Sequence, residues 1–167
     1  ITQRSKYFSP EINDAGTEIL TVQVNIDGTN NLCRLDAITG ELLYKIPNTG
    51  RLFFTQTRYI NSNAAVSAAR NKDGNMALVK VDLTSGVIEN LTPFSFNVIG
   101  YPFVKGDTVY FNASHEKADK IFAVTLTGKK IFRVTNNING VYYPAVNGKN
   151  ELLFSAFSAG GYRLAKL

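Results

Sequence analysis

The stretch ILTVQVNIDGTNNLCRLDAITGELL, residues 19–43, returns later in the chain as AVSAARNKDGNMALVKVDLTSGVIE, residues 65–89. Aligned without a gap, Asp27-Gly28 falls on Asp73-Gly74, Asp36 on Asp82 and Thr39-Gly40 on Ser85-Gly86, each pair 46 residues apart. A period of that size marks a repeat architecture, in which one supersecondary unit is copied along the chain. The repeat makes the fold legible, but it brings no chemistry with it.

Working outward, short runs of β-branched and aromatic residues alternate with Gly, Asn and Asp turns. No segment keeps a helical i, i+3, i+4, i+7 pattern for three turns, so the chain reads as all-β with antiparallel strands. Strands are expected at 7–12, 19–26, 32–36 and 42–46 in the first unit, and at 52–59, 64–70, 76–82 and 87–91 in the second. The third unit has them at 101–104, 108–114, 120–126 and 130–134, and the last at 143–146, 151–157 and 162–167. The turn at Asp27-Gly28 is expected to be a two-residue hairpin turn, a form that Asp-Gly favours.

A second set of landmarks fixes the phase. Ile1-Thr2, Leu91-Thr92 and Val134-Thr135 precede Pro10, Pro102 and Pro144, and each proline is followed by a Gly-bearing turn. In unit two Gln56 stands where the proline would be. Proline suits the start of a strand, where its missing N–H costs no ladder bond. Second strands such as Ile19-Leu20-Thr21-Val22 are apolar on both sides of the pleat, as expected of a sheet covered on both faces. Four-stranded units repeated at this period therefore point to a β-propeller. The expected blades are 3–50, 51–97, 98–139 and 140–167, about 3.75 in all, as part of a larger six- to eight-bladed ring.

Composition bounds the rest. The 167 residues are 44% hydrophobic and 19% charged, which describes a folded chain with a sizeable core. No apolar run reaches the ~18 residues of a membrane-spanning segment. The chain starts at Ile1, without Met or a secretory signal, which suggests a piece of something longer. The net charge of +5 is spread along the sequence, whereas a nucleic-acid footprint would be clustered, so no nucleic-acid partner is expected. The single Cys33 lies in an apolar alternation and reads as a small core residue.

The residues Ser9-Pro10-Glu11-Ile12-Asn13-Asp14-Ala15-Gly16, then Asp36-Ala37-Ile38-Thr39-Gly40, then Asp82-Leu83-Thr84-Ser85-Gly86 with Leu91-Thr92, resemble the blade motif of the TolB family. These are six-bladed propellers of the Tol–Pal envelope system, and the motif is shared by other WD-repeat-like propellers. The Trp often found before the Ser-Pro in that family is missing here. The resemblance implies a periplasmic or cell-envelope location.

Catalytic sets are not evident. There is no Gly-x-Ser-x-Gly elbow. His115 is the one histidine and sits in a polar turn; with Cys33 far from it in sequence, no His/Cys metal cluster is available. Asp36 and Asp82 recur once per unit, which indicates a repeated turn contact. No cofactor and no metal are expected. Asn90 and Asn112 each begin a glycosylation sequon.

What remains is a binding surface. Loops at 27–31, 70–75, 114–120 and 159–161, with the inter-unit loops 92–100 and 136–142, should gather on one face of a propeller. They carry Arg70, Lys72, Asp73, His115, Glu116, Lys117 and Asp119, while Tyr101 and Tyr143 stand where innermost strands begin. Tyr and Arg are frequent interface anchors. The leading expectation is a non-enzymatic protein-binding or scaffold module of a bacterial envelope protein, whose partner is a separate protein or other domains of the same parent chain. Two alternatives stand beside it. One is the propeller gate of a prolyl-oligopeptidase-like serine peptidase; the other is a carbohydrate- or ligand-binding propeller that stacks ligands on Tyr101, Tyr142 and Tyr143.

Overall fold

The computed structural model of the chain describes residues 6–167, so the expected strand tail at Ile1-Thr2 lies outside the described residues. Fifteen strands form four antiparallel sheets. The first sheet holds β1 (Lys6–Ile12), β2 (Glu18–Val24), β3 (Asn30–Asp36) and β4 (Leu42–Lys45) in chain order. The second holds β5 (Phe53–Asn61), β6 (Ala64–Arg70), β7 (Met76–Asp82) and β8 (Ile88–Asn90). The third holds β9 (Ile99–Lys105), β10 (Thr108–His115), β11 (Ala118–Thr125) and β12 (Ile131–Arg133). The fourth has three strands, β13 (Val141–Val146), β14 (Leu152–Ser158) and β15 (Gly161–Lys166).

The sheets stack in sequence order. β5 lies against β1, β2 and β3; β9 lies against β5, β6 and β7; β13 lies against β9, β10 and β11. Each innermost strand thus nests on the face of the sheet before it, and the fourth sheet meets only the third. This is an open arc of propeller blades.

Side-chain alternation along the strands builds one core per junction. On β6, Ala65 and Ala69 turn toward the first sheet, while Val66 and Ala68 turn toward the third. On β7, Val79 and Val81 face back and Leu78 faces forward. Both faces of the second sheet are buried along most of β6, which is why that strand is built largely from alanines. Phe54, 1% exposed, is the largest fully buried side chain and packs with Leu20, Val22 and Leu32 of the first sheet. The fourth sheet, covered on one side, leaves Leu153, Phe157 and Leu164 exposed. Cys33 is fully buried, and burial pushes its thiol up to about 11, well away from a reactive thiolate.

The repeated sequence landmarks have local physical causes. One Asp36 carboxylate oxygen accepts the N–H groups of Ile38 and Thr39 and the Thr39 hydroxyl; Asp82 does the same for Thr84 and Ser85. These bonds hold both carboxyls below the usual carboxylate range. The closing Leu-Thr is an edge cap. Thr92 Oγ1 accepts the Leu78 N–H at 2.9 Å and Thr135 Oγ1 accepts the Ile121 N–H at 3.0 Å, in the third strands of their sheets.

One turn differs from expectation. Asp27-Gly28 is not a two-residue turn: Asn25 donates its N–H to Thr29 O and Gly28 donates to Asn25 O, closing a three-residue loop with Gly28 at φ 81°. Asn71–Asn75 repeats it, with Gly74 at φ 84°. The glycine is needed at the left-handed position of the longer loop; the Asn71 side chain accepts the N–H groups of Asp73 and Asn75 in the second loop, and the Asp27 side chain accepts that of Thr29 in the first. A two-residue hairpin does occur at Glu116-Lys117, where both residues have positive φ (51° and 69°) without any glycine.

Candidate functional site

The strand pairing decides which loops share a face. Phe53 pairs with Arg70, Ile99 with Ala113 and Val141 with Ala156, so in each sheet the turn between second and third strands stands beside the start of the innermost strand. That end of the arc carries all nine side chains singled out from the sequence. The structure divides them into three groups.

Arg70 and Lys72 belong to a cleft of about 450 Å³ between the turns of the first two sheets, where Arg51 joins them. Asp73, on the same turn, donates its N–H to the Asn71 side chain. His115, Glu116 and Lys117 lie on the turn between β10 and β11. Glu116 takes Lys120 at 2.9 Å, with Arg133 and the His115 ring each at 3.5 Å, and the bond from Lys120 above all holds its carboxyl low. The His115 ring stands edge-on to Phe122 with centroids 5.8 Å apart. Glu116 and Lys120 are thus committed to stabilising their own blade, and His115 is held there with them.

The third group lies where the third and fourth sheets meet. Tyr101 of β9 and Tyr143 of β13 have ring centroids 4.2 Å apart and hydroxyls 3.4 Å apart. Both have positive φ, 52° and 57°, and each immediately precedes a proline at a bulge of its strand. Ser9 has φ 52° at the matching place in the first sheet, so the conformation is a repeated blade device. At Tyr101 and Tyr143 the backbone N–H is met by a side chain of the blade before it. Gln56 Oε1 accepts Tyr101 N–H at 2.5 Å, and Asn112 Oδ1 accepts Tyr143 N–H at 3.0 Å. Gln56, which stands in the proline's place, therefore clamps the next blade. Asn112 also donates to Val141 O and is 5% exposed, which removes it as a glycosylation acceptor.

Asp119 sits among these rings. Ser114 Oγ donates to its carboxylate at 2.5 Å, and the Tyr142 hydroxyl stands near enough to feel the carboxylate. The pull of that carboxylate on the phenol proton, with burial, pushes Tyr142 up to about 12, while the hydrogen bond to Tyr143 leads the causes that raise Tyr101. Tyr162 of β15 extends the cluster, 5.9 Å from Tyr142, with Phe157 at 5.1 Å from Tyr162. Sequence reading did not reach Tyr162, Phe157 or Arg51 as site residues. The first two follow the Tyr142-Tyr143 pair into the same corner only once β14 and β15 are folded back beside β13.

A second cleft, about 540 Å³, opens on the opposite face between the ends of β1, β5 and β9. Glu11 lines it, accepts the Tyr59 N–H and pairs with Arg58 at 3.9 Å; burial raises its carboxyl above the ordinary value.

No protein-family model and no curated protein matches this sequence. Solved structures do match in shape. A protein of Agrobacterium tumefaciens assigned as TolB superposes with TM-score 0.80 at 12% identity, over 99% of this chain and 59% of that one. TolB from Acinetobacter baumannii gives 0.73 at 15% identity, over 99% and 42%. A puromycin-hydrolyzing peptidase of Mycobacterium tuberculosis gives 0.76 at 9% identity, over 100% and 28%. The chain therefore spans about half the length of the TolB structures it resembles, and at these identities the likeness is one of fold: this chain is a segment of β-propeller similar to those of TolB and of peptidase propeller domains.

Proposed function

We propose that the chain is a non-enzymatic protein-binding module of a bacterial envelope protein, part of a larger propeller, and that it captures its partner on the face formed by the turns between second and third strands. The observation that carries this reading is the corner between the third and fourth sheets. There Tyr143, Tyr162 and Phe157 stand 54%, 65% and 46% exposed around Asp119. Aromatic side chains held rigidly at a surface lose little entropy on binding and dominate interface energetics. The resemblance to TolB supports the envelope location. Photo-crosslinking tests the face: a benzophenone at position 159 should capture a partner from envelope extract, and one at position 148, on the opposite face, should not. Capture from 148 alone would reject the assignment.

A second reading is favoured by the likeness to the peptidase propeller, in which this segment would stand beside a hydrolase domain of the same parent chain. The sequence following Leu167 distinguishes the two, because the second reading requires a Gly-x-Ser-x-Gly elbow there.

A further inference from the structure

The tyrosines at the junction of the third and fourth sheets form a cup and not a table. The Tyr101 and Tyr143 planes cross at 58°, those of Tyr142 and Tyr143 at 50°, and those of Tyr142 and Tyr162 at 65°. A sugar ring stacks best on one flat, open aromatic face. Rings inclined to one another instead direct several negative π faces into a shared space, which suits a compact cation. Gly140 lets the Tyr142 ring take its place in the cup, since a Cβ there would overlap that ring and its hydroxyl.

The charge of the cup agrees with its shape. Asp119 lies partly buried in its wall, and among the described residues no cation lies within ion-pair distance of it. The adjacent Lys120 is turned to Glu116. Ser114 fills one of the roughly four acceptor positions of a carboxylate, which leaves room for further donors. The anionic charge of Asp119 favours the neutral phenol of Tyr142 and, to a smaller degree, of Tyr101, so it acts toward the rings.

We propose that this cup receives a positively charged side chain, the guanidinium of an arginine or the ammonium of a lysine, presented by a basic segment of the partner protein, with the tyrosine faces around it and Asp119 as counter-ion. This rests on the reading that the same face captures a partner, and it names the chemistry the partner must carry.

The test is a titration of the protein, with its tyrosine rings carbon-13 labelled, by acetyl-Gly-Arg-Gly-amide. Acetyl-Gly-Gln-Gly-amide and cellotriose serve as neutral-peptide and sugar arms. The arginine peptide should shift the ring resonances of Tyr101, Tyr142 and Tyr143 in a saturable way, and the other two should not. Asp119→Asn should weaken the arginine peptide roughly two- to fivefold, the range of a partly exposed ion pair. Tyr143→Leu should weaken it further while Tyr143→Phe, which keeps the π face, should not. Melting curves of the three variants confirm that the fold is kept. Equal shifts with the glutamine peptide, saturation by cellotriose alone, or no ring shift with any probe would overturn the proposal. If position 159 still crosslinks a partner while the arginine peptide fails, partner capture stands and only the cationic chemistry falls.

Discussion

Asn112 lies on the second strand of the third sheet and Tyr143 on the innermost strand of the fourth, and the Asn112 amide oxygen accepts the Tyr143 N–H at 3.0 Å. The same amide donates to Val141 O, so one buried side chain satisfies two backbone groups of β13, an edge strand of its sheet. Asn30 does this between the first two sheets, donating to Phe54 O at 2.7 Å and accepting Phe54 N–H at 3.0 Å. Apolar packing brings the blades together; these amides set the register in which they meet. Asn112→Ala should cost about 2–4 kcal/mol, because two buried backbone groups lose their partners. Urea unfolding measures it, and a loss below ~0.5 kcal/mol would show that water replaces the amide freely.

The threonine that follows the outer strand of the second and third sheets makes a smaller, separable claim. Thr92→Val keeps shape but leaves the Leu78 N–H without its side-chain acceptor, for a loss of about 1–2 kcal/mol. Thr84→Val, on an exposed turn where only the threonine's backbone N–H and carbonyl are used, should be close to neutral in the same assay.

Two glycines with the same backbone conformation should differ in their tolerance of a methyl group. Gly28 has φ 81° with open space around its missing Cβ, so Gly28→Ala carries only the left-handed strain of ~1–2 kcal/mol. Gly86 has φ 73°, and a Cβ there would run into the backbone carbonyl of Pro47 in the preceding blade. Gly86→Ala should therefore be markedly more destabilising than Gly28→Ala, with the difference in unfolding free energy reporting the contact between blades.

The pH dependence has a sign fixed by the tyrosine corner. Tyr142 is raised to about 12, so the folded state favours its neutral phenol. Its contribution to stability is complete below the ordinary tyrosine value near ~10 and is lost as pH rises from there through about 12. Asp36 and Asp82 work in the other direction: lowered in the fold, they contribute above the unfolded carboxylate value and lose that contribution as pH falls through the folded one. Ultraviolet titration at the tyrosinate band should show a late-titrating tyrosine in the native protein that moves to lower pH in Asp119→Asn. An unchanged titration would remove Asp119 from the corner.

Much of the fold was written in short-range pattern. The 46-residue phrase, the Leu-Thr closures and the doubly apolar second strands each report a local or face-wide constraint, and the strands fall within a few residues of where those patterns put them. What the sequence hid are contacts between units that do not repeat. Asn30 begins a third strand and Asn112 sits within a second, so no alignment of the repeats brings the two clamps together. The aromatic corner was half legible. Tyr101 and Tyr143 share a place before proline, but Tyr162 and Phe157 reach them through the folding back of a hairpin, and Asp119 reads only as one more charge of the 114–120 loop until Ser114 is seen to hold it beside the rings. The three-residue loops at Gly28 and Gly74 were missed because Asp-Gly suits two turn lengths, and the hydrogen bonds of the preceding asparagine decide between them.

The central claim is that the corner formed by Tyr101, Tyr143 and Asp119 is where a partner is held. Its most direct measurement is the ring spectrum of the carbon-13 tyrosine protein, recorded with and without the partner recovered by crosslinking from position 159. Saturable shifts confined to the tyrosines of this corner, lost in Tyr143→Leu, are the predicted result. Shifts centred instead on Tyr59, in the cleft of the opposite face, would contradict it.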